Sequence, residues 1–99
     1  MSYAALREFI KTYPDSAGGL EDWYRKTKDA DWKSLADLRQ TFNSADYAGN
    51  ERVVFNIRGN RYRLVASVLY SIRTVFIKFI GTHTAYDAVD SSTVEHQKK

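Results

Sequence analysis

The apolar residues of this chain change their spacing near position 50, and that change decides what it can fold into. Before it, apolar side chains recur three and four apart, as amphipathic helices require; after it, they crowd into short runs rich in Val, Ile, Phe and Tyr, as strands do. Leu6, Phe9, Ile10 and Tyr13 make one helical stripe, which Pro14 ends, and Asp15-Ser16-Ala17-Gly18-Gly19 reads as a turn. Leu20, Trp23, Tyr24 and Thr27 make a second stripe, with Glu21, Asp22, Arg25 and Lys26 largely opposite. Trp32, Leu35, Leu38 and Phe42 keep the same spacing through 31–42, either as an extension of that helix or as a separate one.

Three strands are expected in the second half, at Arg52–Ile57, Tyr62–Tyr70 and Thr74–Ile80. Arg58-Gly59-Asn60 is a hairpin connection, with Gly and Asn where a left-handed backbone is wanted. Ser71-Ile72-Arg73 is a weaker turn, lacking Gly and Pro. Gly81-Thr82-His83-Thr84 closes the third strand, and Thr84 is placed to cap a short helix through Val89. Two or three helices followed by an antiparallel meander give an α+β fold, with the helices packed on one face of a small sheet and a short helix at the C-terminal end. Ninety-nine residues make a single domain, 1–99, whose polar tail from Asp90 is expected to fray.

Cysteine is absent, so the fold has no disulfide and no Cys-ligated zinc. No stretch has the continuous apolar run of a signal peptide or of a bilayer span. The expectation is a soluble, cytoplasmic protein with no membrane partner. The net charge of +3 is modest, but it is not evenly spread. Residues 1–50 carry seven basic and eight acidic side chains, whereas 51–84 carry six basic (Arg52, Arg58, Arg61, Arg63, Arg73, Lys78) and one acidic, Glu51. So local an excess is the footprint of a polyanion partner.

Strand alternation sorts these cations. Phe55 and Ile57, then Tyr62, Leu64, Ala66 and Val68, then Val75, Ile77 and Phe79, form one apolar face for the helices to cover. The other face then gathers Asn56, Arg61, Arg63 and Lys78, without a carboxylate. Solvated surface charges ordinarily mix both signs, and cations of one sign are tolerated more readily where a phosphate neutralises them. Just past the last strand, His83 and Tyr86 are three apart, so one helical turn brings them near one face. Histidine exchanges protons near neutrality, and tyrosine can donate a hydrogen bond or stack on a base. His83 and Asp87 have the spacing of a metal pair, but two ligands without a third do not make a site, and neither metal nor cofactor is expected.

Three segments in order carry a family resemblance: Trp32-Lys33-x-Leu-x-Asp-Leu-Arg-x-x-Phe42; Val-Val-Phe-Asn-Ile-x-Gly-Asn-x-Tyr-Arg-Leu at 53–64; and Phe-Ile-x-Phe-Ile-Gly-Thr-His-x-x-Tyr-Asp at 76–87. The chain resembles the HigB-type toxins of bacterial toxin–antitoxin modules over roughly residues 30 to 90. The resemblance implies a RelE-like α+β fold and an endoribonuclease that cuts mRNA on the translating ribosome and so inhibits translation. It also implies a cognate helix-turn-helix antitoxin, forming a complex that binds operator DNA. On the matching motifs, the catalytic set is Arg63, Lys78, His83 and Tyr86.

Such chemistry needs no metal, because RNA supplies its own nucleophile in the 2′-hydroxyl. The protein must align that oxygen with the phosphorus, stabilise the added negative charge and manage two protons. Arg63 and Lys78 are expected on the phosphate and His83 and Tyr86 in acid–base and stacking roles. Arg58, Arg61 and Arg73 are expected on flanking phosphates, with Asn56 and Asn60 as further RNA contacts. Two other classes share the basic surface: a module that binds RNA without cutting it, and a domain that docks an acidic protein.

Overall fold

The computed structural model describes residues 3–59 and 61–94. Three helices precede the sheet: α1 (Ala4–Thr12), α2 (Ala17–Asp29) and α3 (Leu35–Thr41). Four strands follow: β1 (Asp46–Gly49), β2 (Arg52–Ile57), β3 (Tyr62–Leu69) and β4 (Thr74–Thr82). A short helix, α4 (His83–Asp87), comes after them. The strands form an antiparallel meander in the order β1-β2-β3-β4, as the α+β expectation required. β1, a four-residue edge strand with little apolar content, is an addition to the three expected strands.

The helices form where the stripes lie. Leu6, Leu20, Trp23 and Leu38 are buried against Phe55, Ile57, Leu64 and Ala66, with Trp23 and Phe42 both set edge-on to the Phe55 ring. Trp32 lies outside any helix, because α2 stops at Asp29 and α3 starts afresh at Leu35. Ser34 is the reason for the restart: its hydroxyl accepts from the Asp37 N–H, while Asp37 accepts from the Lys33 N–H.

The expected turn at 15–19 is shorter than its composition suggested. A single 3₁₀ turn at Pro14–Ser16 reverses the chain, and Gly18 and Gly19 belong to the first turn of α2. Packing explains Gly19, since a Cβ there would lie 2.9 Å from Ile57 Cγ2 and 3.3 Å from the Arg58 nitrogen. α2 therefore sits directly on the end of β2. At that hairpin, Arg58 and Gly59 hold the left-handed backbone, at φ 53° and 66°. Asn60 lies outside the described residues.

β4 departs from simple alternation. Val65 pairs with Phe79 and Ala66 with Ile77, so Lys78 is an extra residue in a β-bulge. Before the bulge, Val75 and Ile77 face the helices; after it, Ile80 does, opposite Leu64. Phe79, expected in the core, instead lies on the far face, because the extra residue reverses the parity of everything after it. Residues 90–94 of the polar tail form a turn. Asp90 Oδ1 accepts from the Ser92 N–H and hydroxyl, and the Asp90 carbonyl accepts from the Thr93 and Val94 N–H groups. Its last residues, 95–99, lie outside those described.

The two adjacent glycines of α2 separate packing from propensity. Gly19→Ala should destabilise the protein by about 1–3 kcal/mol through overpacking against Ile57. Gly18→Ala, with nothing within 4 Å of its Cβ, should stabilise it by about 0.5–1 kcal/mol. Urea unfolding of the two variants checks both signs.

Candidate active site on the far face of the sheet

The face turned away from α1, α2 and α3 carries Asn56 on β2, Arg63 on β3, and Phe76, Lys78 and Phe79 on β4. Arg63 sits opposite Asn56 on one side and Gly81 on the other. Gly81 leaves room that an aromatic ring fills, since a Cβ there would lie 2.5 Å from Phe79 Cζ and 3.3 Å from the Ala85 Cβ. The Phe79 ring thus lies across Gly81, beneath α4. The bulge turns Lys78 to the same face, where its ammonium lies 6.0 Å from the Phe76 ring centroid.

α4 brings in the phenol and the imidazole. Its cap is Thr82 rather than Thr84: the Thr82 hydroxyl accepts from the Ala85 N–H at 3.1 Å. The His83 N–H donates to the Arg61 carbonyl at 3.1 Å, so the helix leaves the sheet beside the end of β3. One turn later the Tyr86 ring covers Arg63, with the guanidinium carbon 5.2 Å from the ring centroid. Phe79 supports the same ring from 6.4 Å. Arg63 Nε is buried and has no hydrogen-bond partner among the described residues. The exposed His83 imidazole has its Nδ1 3.3 Å from Asp87 Oδ2, so the suspected metal pair is a contact between the two side chains themselves. No group of three or more metal-ligating side chains occurs among the described residues.

Arg63, Lys78, Tyr86 and Asn56 are therefore brought together on one face, with His83 at its border. The other expected cations are not part of that cluster. Arg61 lies just before β3 and turns to Asp15, with Nη1 3.3 Å from the carboxylate, and Arg58 reaches the same carboxylate at 3.5 Å and the Asp15 carbonyl at 3.0 Å. Tyr62 donates its hydroxyl to the other carboxylate oxygen. Strand parity had put Arg61 on a carboxylate-free face; the 3₁₀ turn supplies a carboxylate from a distant stretch of chain. Arg73 occupies the left-handed position after the 3₁₀ turn Tyr70–Ile72, at φ 51°, and pairs with Asp31 at 3.2 Å. It lies at the opposite end of β3, where the six steps from Arg63 to Leu69 span about 20 Å.

Phe79 is the site residue that alternation missed. The signal was present, because apolar pairs at 76/77 and 79/80 flanking one lysine cannot alternate in an unbroken strand.

Asp15 gives the site's border a pH dependence. The Tyr62 hydrogen bond, and then the Arg58 and Arg61 charges, hold its carboxyl below the usual carboxylate range. A lowered folded-state value stabilises the fold above the unfolded value of about 4 and is lost as pH falls through the folded value. Asp15→Asn should thus lower the thermal midpoint at neutral pH, and the two proteins should converge as pH falls below the usual carboxylate range. Parallel melts across that range measure it.

Comparison with known proteins gives the chain a family. The family model for HigB toxins, the RelE-like toxic component of a toxin–antitoxin system, matches residues 16–89, from the 3₁₀ turn through α4. The mRNA interferase HigB of Escherichia coli O6:H1 (strain CFT073) is 29% identical over 89 residues, covering 88% of this chain and 86% of that protein. With three quarters of its length inside the family model, and the far-face cluster inside the matched span, this chain belongs to the HigB family of RelE-like toxins, the toxic components of toxin–antitoxin systems.

Proposed function

We propose that this toxin is an endoribonuclease that cuts mRNA on the ribosome by attack of the RNA 2′-hydroxyl, without a metal, and thereby inhibits translation. One observation carries the reading: the Arg63 guanidinium lies 5.2 Å from the Tyr86 ring centroid, on the face to which the bulge turns Lys78, and among the described residues no carboxylate pairs with it. A guanidinium without a carboxylate is a ready partner for a phosphate, which its terminal nitrogens can bind as a fork. The mRNA interferase named among its relatives points to the same substrate.

In this mechanism Arg63 grips two oxygens of the scissile phosphate and Lys78 adds a point charge, so both stabilise the phosphorane as its charge grows. His83 and Tyr86 share the two proton transfers, with Asp87 orienting the imidazole through Nδ1. Phe76, Phe79 and Tyr86 offer faces on which bases stack, and Asn56 offers a carboxamide beside Arg63. Arg58 and Arg61 act as secondary contacts, since RNA must compete with Asp15 for them. Arg73 serves a more distant stretch of RNA.

Family membership gives the toxin an antitoxin partner. We take that antitoxin to carry a helix-turn-helix, so that operator binding by the complex belongs to it. Among the described residues no helix is long and apolar enough to cross a membrane, and a ribosomal substrate places the toxin in the cytoplasm.

Primer extension on transcripts after brief induction in bacteria tests the proposal. Wild type should create new mRNA ends. His83→Ala and Tyr86→Phe should each reduce them by about 10²–10⁴-fold while leaving the fold intact by circular dichroism. Arg63→Lys should also lose most cleavage, because a lysine cannot reproduce the fork. A module that only binds RNA would give no new ends in any of these strains, and an unaffected variant removes that residue from the mechanism.

A further inference from the structure

We propose that Arg52 and Asn50 are positioning residues for the site: they tie down a strap, residues 88–94, that crosses the far face and fixes α4 over Arg63. This rests on the reading of Arg63 and Tyr86 as active-site residues.

α4 has little of its own to hold it in place. It is five residues long and contributes no buried residue, and a helix so short is not stable in isolation. One end is fixed by the Thr82 cap and by the His83 bond to the Arg61 carbonyl. The other end runs through Ala88 and Val89, whose N–H groups bond back to Ala85 and Tyr86, into the turn built on Asp90.

The carbonyls of that turn are then held from the sheet. Asn50 Nδ2 donates to the Ser92 carbonyl at 2.8 Å, and Arg52 Nη1 donates to the carbonyls of Val94 and, at 3.5 Å, Ser91. The strap lies close on the β1–β2 turn, where a Cβ on Gly49 would be 3.7 Å from the Ser92 Cβ. Arg52 pairs with Ser67, four residues along β3 from Arg63, a span of about 13 Å. The strap therefore crosses the sheet from the site to its opposite end.

Two burial values agree with that path. Val54 and Val65 point to the face away from the main helices, yet they are only 4% and 0% exposed, so that face is covered. Arg52 itself is 7% exposed. A cation that deeply placed needs acceptors, and the strap's carbonyls supply them. Arg52 and the strap depend on one another: without the strap the buried cation loses those acceptors, and without Arg52 the strap loses one of its two anchors.

The full-length protein bearing Asn50→Gly or Arg52→Lys tests this. Glycine keeps the left-handed backbone that Asn50 adopts at φ 52° and removes only the carboxamide. Lysine keeps the charge but not the fork. Both variants should speed hydrogen exchange of the α4 amides, residues 83–89, about tenfold or more, while the β2–β3 amides stay protected. Both should lower kcat for mRNA cleavage by about 10–100-fold with little change in KM, and neither should lower it further in a Tyr86→Ala background. Wild-type exchange at α4 in both variants would overturn the strap, as would faster exchange with unchanged turnover. If Arg63→Lys proves fully active, the site reading fails instead, and the exchange data still decide whether the strap holds α4. Arg52→Lys tests the more buried anchor, and Asn50→Gly, at an exposed turn, keeps the test informative if the lysine variant misfolds.

Discussion

One extra residue in β4 organises the functional half of this protein. A strand without the bulge would send Phe79 into the core and Ile80 outward, so the face that carries Arg63 would have no ring across Gly81 and no support under Tyr86. With Lys78 as the extra residue, Ile77 and Ile80 both serve the core, while Lys78 and Phe79 both serve the far face. One local irregularity thus meets two demands at once, a closed core and a cation beside an aromatic floor. Bulges commonly re-aim side chains next to active sites, and here one of the displaced residues, Lys78, is one to which the proposed mechanism gives a role.

The second constraint is that α4 cannot be stable alone. It is built between fixed points: a threonine cap and a backbone bond at one end, and the turn anchored by Asn50 and Arg52 at the other. Its tyrosine then lies between Phe79, whose ring is tilted 52° to it, and the Arg63 guanidinium. That contact holds the guanidinium without neutralising its charge, unlike the carboxylate that Arg58 and Arg61 share. Of these three arginines, the one without a carboxylate lies on the face where the proposed mechanism seats the phosphate.

How much of this could be read from the sequence depended on the range of the interactions involved. The N-terminal helical stripes were legible from their spacing, and Pro14 marked a real break, but the division between α2 and α3 was not, since the same spacing runs through both. The antiparallel meander and the shared face of Asn56 and Arg63 followed from alternation in β2 and β3, where no irregularity intervenes. Alternation failed at Phe79, because parity cannot be carried across a bulge. It also failed to foresee the partners of Arg58, Arg61 and Arg73. Those carboxylates, Asp15 and Asp31, come from more than forty residues away, and only the fold brings them near. The turn at 90–94 was not legible either, because it is held by backbone carbonyls, groups that every sequence possesses and none advertises.

The most direct measurement of the central claim is the chemistry of the ends left on transcripts cut by the purified toxin on translating ribosomes. Attack by the RNA's own 2′-hydroxyl at Arg63 and Lys78 predicts a 5′-hydroxyl on the downstream fragment and a 2′,3′-cyclic phosphate or 3′-phosphate upstream. Downstream fragments should then enter ligation only after treatment with a kinase. Fragments that carry a 5′-phosphate as cut, and ligate without treatment, would mean that water or hydroxide was the nucleophile and would contradict the account.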